Sequence, residues 1–384
     1  MGAFVGLFLF GFILTIIGPA LPYLADDFNL KLSEVGIILS LRGIGMIFAV
    51  LAAGVISDRY GHRIVVLSGI GFWTIGLLVF SICRHIPVIF LVWILIGVGF
   101  GSVDTALNSL VAQTSTSRGS SLNKLHFWFG IGSLTGPLVA GLLLELFSWR
   151  LLFFITALLT LGYGIFMFGL NYPQLETKAA KQAQQPLKSI SSVLTVPVLL
   201  LGIILFSYTG VNTTFTGWIN TYLTGDLALT TTLASVILSV YSIGLALGRL
   251  VVSLMAERVP YVRTLLISVT TALVFASTAL FAQHPALVMI AFGLTGFCFA
   301  ALLPIGLAVG AKLYPEITGT VTGVLIFFSS MGRTVLPGLV GIIGDYTSLA
   351  FSLRLTLIFI GIMVISTIAL IAARNKQRRK VNNI

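Results

Sequence analysis

The chain has 384 residues, 57% of them hydrophobic and 9% charged, with a mean hydropathy of +1.08 and a formal net charge of +11. Soluble domains carry about 25% charged residues, so this composition excludes a water-facing surface and makes lipid the solvent. The positive charge does not imply a nucleic-acid partner, because the basic residues sit in short loops and in the tail Arg374, Lys376, Arg378, Arg379 and Lys380.

A spanning helix takes roughly 20 apolar residues, which leaves room for about a dozen. Backbone polar groups in lipid must be satisfied inside a helix or a closed barrel. The apolar runs here are long and lack period-2 alternation, so an all-α membrane protein with twelve transmembrane helices is expected. In chain order the spans lie near 2–24, 33–57, 64–82, 88–113, 123–147, 151–171, 194–224, 233–256, 264–282, 286–313, 319–343 and 351–373. The first begins at Met1 with no basic n-region or small-residue cleavage site, so no removable signal peptide is expected. Cys83 and Cys298 fall in or at the ends of spans, which predicts neither a disulfide nor a metal site.

The longest polar interruption, Asn171 to Ser192, divides the spans six and six. This gives an N-terminal bundle over 1–171, a central loop over 172–193, a C-terminal bundle over 194–373 and a basic tail over 374–384. Fifteen Lys and Arg share the side of the loop and tail, four lie on the other side and three lie within spans. That asymmetry places both termini and the loop in the cytoplasm of an inner or plasma membrane.

The halves repeat each other. Ile38-Leu39-Ser40 returns as Ile237-Leu238-Ser239 and Asp58-Arg59 as Glu257-Arg258, both at an offset of 199. Gly132, Pro137, Gly141 and Glu145 return as Gly332, Pro337, Gly341 and Asp345 at an offset of 200. Two parallel six-helix repeats imply a substrate site near the midplane that opens alternately to each side.

Between spans 2 and 3 the chain reads Gly54-Val55-Ile56-Ser57-Asp58-Arg59-Tyr60-Gly61-His62-Arg63. This resembles the signature loop of the major facilitator superfamily and implies that fold, with a monomer in the bilayer. Gly54 would let a neighbouring helix approach, Gly61 would supply φ > 0 in a short turn, and Asp58, with Arg59 and Arg63 beside it, would latch one conformation. The echo from Glu257 to Arg263 lacks the turn glycine.

Ten of the eleven acids lie in loops or at helix ends; Asp104 alone is deep in a span, the fourth. Desolvation favours its protonated form and suits it to carry a proton; the alternative is a structural acid paired with arginine. Asn108 lies one turn away on the same face. Of the arginines within spans, Arg42 and Arg249 lie near span ends and are expected to snorkel. Arg333 is nearer mid-span and would pair with Asp104 or hold an anionic substrate group. Span 7 carries a polar stripe of Asn212, Thr216 and Asn220 with Thr213 and Trp218 beside it, suited either to interhelical packing or to sugar hydroxyls and a sugar face. His126 opens span 5 beside Trp128. Glycine and proline at Gly18, Pro19, Pro22, Gly210, Gly217, Pro304 and Gly306 are expected to break spans 1, 7 and 10 around a cavity.

Stretches Gly101–Asn108, Leu125–Pro137, Gly210–Leu223 and Gly244–Arg249 resemble the fucose and glucose permease branch of that superfamily. The resemblance implies proton-coupled symport of a sugar or sugar-like small molecule, with Asp104 as proton site. Asn108, Trp128, Asn212, Thr216, Trp218 and Asn220 are the expected substrate contacts, with Arg333 as a further candidate. Span 1 departs from that pattern because it holds no carboxylate from Met1 to Leu24. A proton-driven exporter of lipophilic compounds and a transporter of sugar acids are the competing readings. No nucleophile–base spacing, metal cluster or phosphate loop suggests an enzyme, and no cofactor is expected.

Overall fold

The computed structural model describes residues 1–114, 118–170, 172, 194–255, 260–314 and 318–382. Every regular element among them is helical: α1 Gly2–Phe28, α2 Leu32–Tyr60, α3 His62–Ile82, α4 Ile86–Thr114, α5 Arg118–Leu146, α6 Trp149–Phe168 and α7 Val196–Gly225. There follow α8 Thr231–Met255, α9 Tyr261–Phe281, α10 Pro285–Phe299, α11 Leu302–Leu313, α12 Thr318–Tyr346, α13 Leu349–Arg354 and α14 Thr356–Asn382. Twelve stretches are long and apolar enough to cross a membrane, with α10 and α11 forming the tenth and α13 and α14 the twelfth. The central loop's Lys178, Lys181 and Lys188, and Glu257 and Arg258 of the second loop, lie outside the described residues.

The break in the tenth span falls at Ala300 and Ala301, three to four residues before Pro304. A proline ring collides with the carbonyl of residue i−4, here Ala300, and supplies no N–H of its own. The expected breaks at Gly18–Pro22 and at Gly210 and Gly217 are not found, since α1 and α7 run through them.

The chain divides into two compact units, Met1–Gln185 with Thr216–Ser239, and Pro186–Phe215 with Val240–Ile384. In the first, α1 packs on α5, α2 on α4, and α3 on both α4 and α6. Its segment 216–239, the end of α7 and start of α8, is tied to α1 and α5. Tyr23 Oη meets Thr231 Oγ1 at 2.8 Å, Thr232 N–H donates to Glu145 Oε1 at 3.1 Å, and Ser239 Oγ donates to the Leu134 carbonyl at 3.1 Å. Glu145 thus places a carboxylate at the N-terminus of α8, where the helix dipole favours it. In the second unit, α9 packs on α10, α11 and α14, and α12 on α11 and α13.

The internal repeat is visible atom by atom. A Cβ on Gly45 would collide with the Ile94 carbonyl oxygen, and one on Gly244 with that of Gly293; both pairs stand 199 residues apart. Gly97 lies against the Arg42 carbonyl as Gly296 lies against that of Tyr241. Ser148 caps α6 by accepting from Leu151 N–H at 3.4 Å, and Ser348 caps α13 by accepting from Phe351 N–H at 3.1 Å. Arg150 donates to the Ser81 and Cys83 carbonyls at the end of α3, and Arg354 donates to the Leu280 carbonyl at the end of α9. Arg150 also bonds Asp27 at 2.9 Å. Leu91 and Ile165 are 67% exposed and Ile365 69%, as apolar side chains facing hydrocarbon should be.

Candidate functional site

Three glycines in α4 determine how closely its neighbours approach. Gly97 and Gly101 sit against the backbone of α2 at Arg42 and Met46, and Gly99 sits against Trp73 of α3. Only glycine lets helix backbones come this near. The close packing leaves Phe100 in an aromatic cluster, 4.8 Å from Phe10 and 5.3 Å from Trp73 between ring centroids; Phe10 is in turn 5.6 Å from Phe129 of α5.

Asp104 follows Phe100 by one turn and is half-buried. The Asn108 side-chain amide donates to its Oδ1 at 2.8 Å and to its backbone carbonyl at 2.8 Å. Sequence spacing therefore brings this pair together as expected. Arg42 does not snorkel: it is 6% exposed, its Nη1 donates to the Leu14 carbonyl of α1 at 3.4 Å, and its guanidinium carbon lies 5.8 Å from the Phe100 ring centroid. Depth alone could not give the direction in which the side chain runs. Tyr241, its counterpart 199 residues on, is likewise buried.

Span 7 presents its stripe unevenly. Asn212 and Thr216 are half-buried, whereas Trp218 and Asn220 are fully buried. Successive i+4 positions drift about 40° around a helix, so the stripe turns into the protein by Asn220. There Asn220 Nδ2 donates to Ser235 Oγ at 3.0 Å. Tyr241 Oη donates to Asn212 Oδ1 at 2.6 Å. Trp128 is 43% exposed beside Phe127, and His126 is exposed. Arg333 is half-buried on α12, with Nη2 3.4 Å from Ser329 Oγ, and the Ser329 carbonyl accepts from Thr209 Oγ1 at 2.5 Å. Asp104, Asn108, Trp128, Thr216, Trp218 and Asn220 belong to the first unit, and Asn212 and Arg333 to the second.

In the signature loop, Gly61 has φ of 87° and ends α2, as the turn requires. Gly54 has open space beside it among the described residues, and the close approach expected there is made at Gly45 instead. The Asp58 side chain lies outside the described residues. Arg63 Nη2 donates to the Phe168 carbonyl at the end of α6 at 2.9 Å, and its guanidinium faces the Phe168 and Tyr172 rings at 5.2 and 5.9 Å. Burial pushes the Tyr172 phenol up to about 12 against the pull of Arg63, so it offers the guanidinium a neutral ring. Arg59 faces the Tyr60 ring at 5.6 Å. Among the described residues no group of three or more His, Cys, Asp or Glu is placed to hold a metal, and Cys83 and Cys298 are free and buried.

The sequence model of the Major Facilitator Superfamily matches residues 3–225 and 206–383, and the chain belongs to that superfamily. It is an integral membrane protein and a transporter, not an enzyme. It is 22% identical over 348 residues to the glucose/mannose transporter GlcP of Bacillus subtilis (strain 168), covering 87% of this chain and 85% of that protein. The solved structure of a mutant of the nucleoside transporter NupG has the same fold, with a TM-score of 0.81, 18% identity and coverage of 96% of this chain and 99% of that one. That of a D-xylose-proton symporter matches with a TM-score of 0.75 and 15% identity, over 96% and 95% of the two chains.

Proposed function

We propose that the protein couples proton movement to uptake of a sugar or sugar-like small molecule, with two six-helix bundles giving alternating access. Both termini and the central loop would face the cytoplasm. Asp104 is the proton site, and the observation that carries this reading is a half-buried carboxylate within a span whose Oδ1 takes an amide hydrogen bond from Asn108. An intramembrane carboxylate is costly and normally faces a bundle interior or aqueous cavity, where proton relays are built. Its similarity to a glucose/mannose transporter and to a D-xylose-proton symporter supports the substrate class.

Half-exposed polar groups provide the substrate contacts: Asn212, Thr216 and Trp128, with Asn108 beside the proton site. Trp218 and Asn220, fully buried, would support that surface. Asp58, Arg59, Gly61 and Arg63 form the latch loop, and the protein works as a monomer. Arg333 favours a second reading: a half-buried guanidinium on α12 would suit the carboxylate of a sugar acid.

Replacing Asp104 with Asn tests the assignment. Uphill accumulation should be lost while exchange of labelled for unlabelled substrate continues; accumulation that survives would refute Asp104 as the proton site.

A further inference from the structure

The two halves end their last helices differently, and local sequence gives the reason. Arg150 and Arg354 make equivalent contacts at an offset of 204, which sets Gly169 of the first half against Ala373 of the second. In the first half α6 stops at Phe168. Gly169 follows it with its N–H on the Ile165 carbonyl at 3.2 Å, and Arg63 donates to the Phe168 carbonyl at 2.9 Å. Glycine is a poor helix former, and a cation on the last carbonyls closes a helix end. The second half lacks both stops: Ala373 replaces the glycine, and Val262 stands 199 residues on from Arg63. Alanine favours helix most of all, and α14 runs on to Asn382, nine residues past the end of its span at Ala373.

This extension reads Arg374-Asn375-Lys376-Gln377-Arg378-Arg379-Lys380-Val381-Asn382. Five of its nine positions are basic, and no Asp or Glu occurs from Tyr346 to Ile384. At about 100° per residue the basic positions ring the helix, with no arc wider than about 120° lacking one. From Arg374 to Lys380 the axis rises about 9 Å. The polar layer of a bilayer is about 5–7 Å deep on each side, and surface charge is felt for about 8 Å beyond it at physiological ionic strength. The ring of charge therefore begins one residue after the span and ends within reach of the headgroups.

We propose that residues 374–380 of α14 are a docking collar for anionic phospholipids, which gather around the helix where it leaves the bilayer and pin that end of the last span at headgroup depth. Arginine meets a phosphodiester with a planar fork of donors and lysine meets it as a point charge. Basic residues directly beyond a spanning helix are attracted to an anionic leaflet. A ring suits such a surface, because headgroups surround an emerging helix on every side its own protein leaves open, whereas a nucleic-acid groove is met by one face of a helix. Only the choice of the cytoplasmic leaflet rests on the orientation proposed above.

Native mass spectrometry of the delipidated full chain in detergent tests the collar without a transported substrate. Phosphatidylglycerol and phosphatidylcholine with identical acyl chains are added in equal amounts, so that only the headgroup differs. Wild type should retain phosphatidylglycerol several-fold better, and the preference should shrink as ammonium acetate is raised, because salt screens it. Replacing Arg374, Lys376, Arg378, Arg379 and Lys380 together with Gln should abolish the preference. Lys178→Gln, Lys181→Gln and Lys188→Gln, which remove charge from the central loop instead, should leave most of it. A preference that survives in the tail variant, or falls as far in the loop variant, would overturn the proposal. So would displacement of the lipid by an equal concentration of glycerol phosphate, which means a site for free phosphate. Retention of a labelled RNA oligonucleotide through the same five residues, with no lipid preference, would overturn it in favour of nucleic acid. Elution as a single symmetric peak separates a charge effect from misfolding. If the five-residue variant does not fold, Arg378→Gln with Arg379→Gln should lose part of the preference, and no loss there would count against the collar.

Discussion

Asp104 and Asn108 show what a single helical turn can supply: the amide supports the carboxylate from its own helix, so the pair survives movement of other helices. A neutral pair in the second unit, Tyr241 on Asn212 at 2.6 Å, instead joins two helices. Tyr241→Phe would free the Asn212 carbonyl at the cost of one hydrogen bond, about 1 kcal/mol. With Asn212 as a substrate contact, KM should rise several-fold while the maximal rate is kept; initial-rate uptake measures both. The Asp104–Asn108 pair was legible in the sequence, because residues four apart must share a face. Arg42 was not, because a position near a span end gives no information about which way a long side chain lies. Trp218 and Asn220 were legible as part of a stripe, but their full burial depends on tertiary contacts such as Asn220 to Ser235.

At the scale of elements, hydropathy gave the spans closely. The expected span over 88–113 is α4 at Ile86–Thr114, and that over 264–282 is α9 at Tyr261–Phe281. Proline was harder to read: Pro304 breaks its span, whereas Pro19 and Pro22 sit inside an uninterrupted α1. Neighbouring groups can re-satisfy the backbone groups a proline frees in a membrane helix, and the sequence does not reveal where they do. Glycine was clearer once the repeat was known, since Gly97 and Gly296 make the same contact. Gly97→Val and Gly296→Val would each drive a branched side chain into a facing carbonyl. Overpacking costs about 1–3 kcal/mol or more, and a drop in Tm of several degrees should follow in both, measurable by thermal shift in detergent. The equal effect is the informative part, because it would report equal frames under unequal chemistry.

For the whole molecule, a repeated scaffold carries chemistry that is not repeated. Arg42, Asp104 and Arg333 have Tyr241, Leu303 and Ser133 at their counterpart positions. The proposed orientation, with both termini in the cytoplasm, rests on the distribution of Lys and Arg. In intact cells, a cysteine introduced at Gln184 should be shielded from an impermeant maleimide, and one at Thr347 should react; the reverse pattern would invert the topology. The superfamily was readable from the loop at Gly54–Arg63 and from the repeat, both properties of the backbone scaffold. Substrate class is less readable, because it depends on which few side chains face a cavity at one moment of the cycle.

The most direct test of proton-coupled sugar transport uses the purified protein in liposomes loaded with a pH-sensitive dye. Hexoses, deoxyhexoses and sugar acids would be added in turn without an imposed gradient. A proton flux evoked by a neutral sugar, and abolished in Asp104→Asn, is the expected result. A flux evoked only by sugar acids, or one that persists in Asp104→Asn, would contradict it.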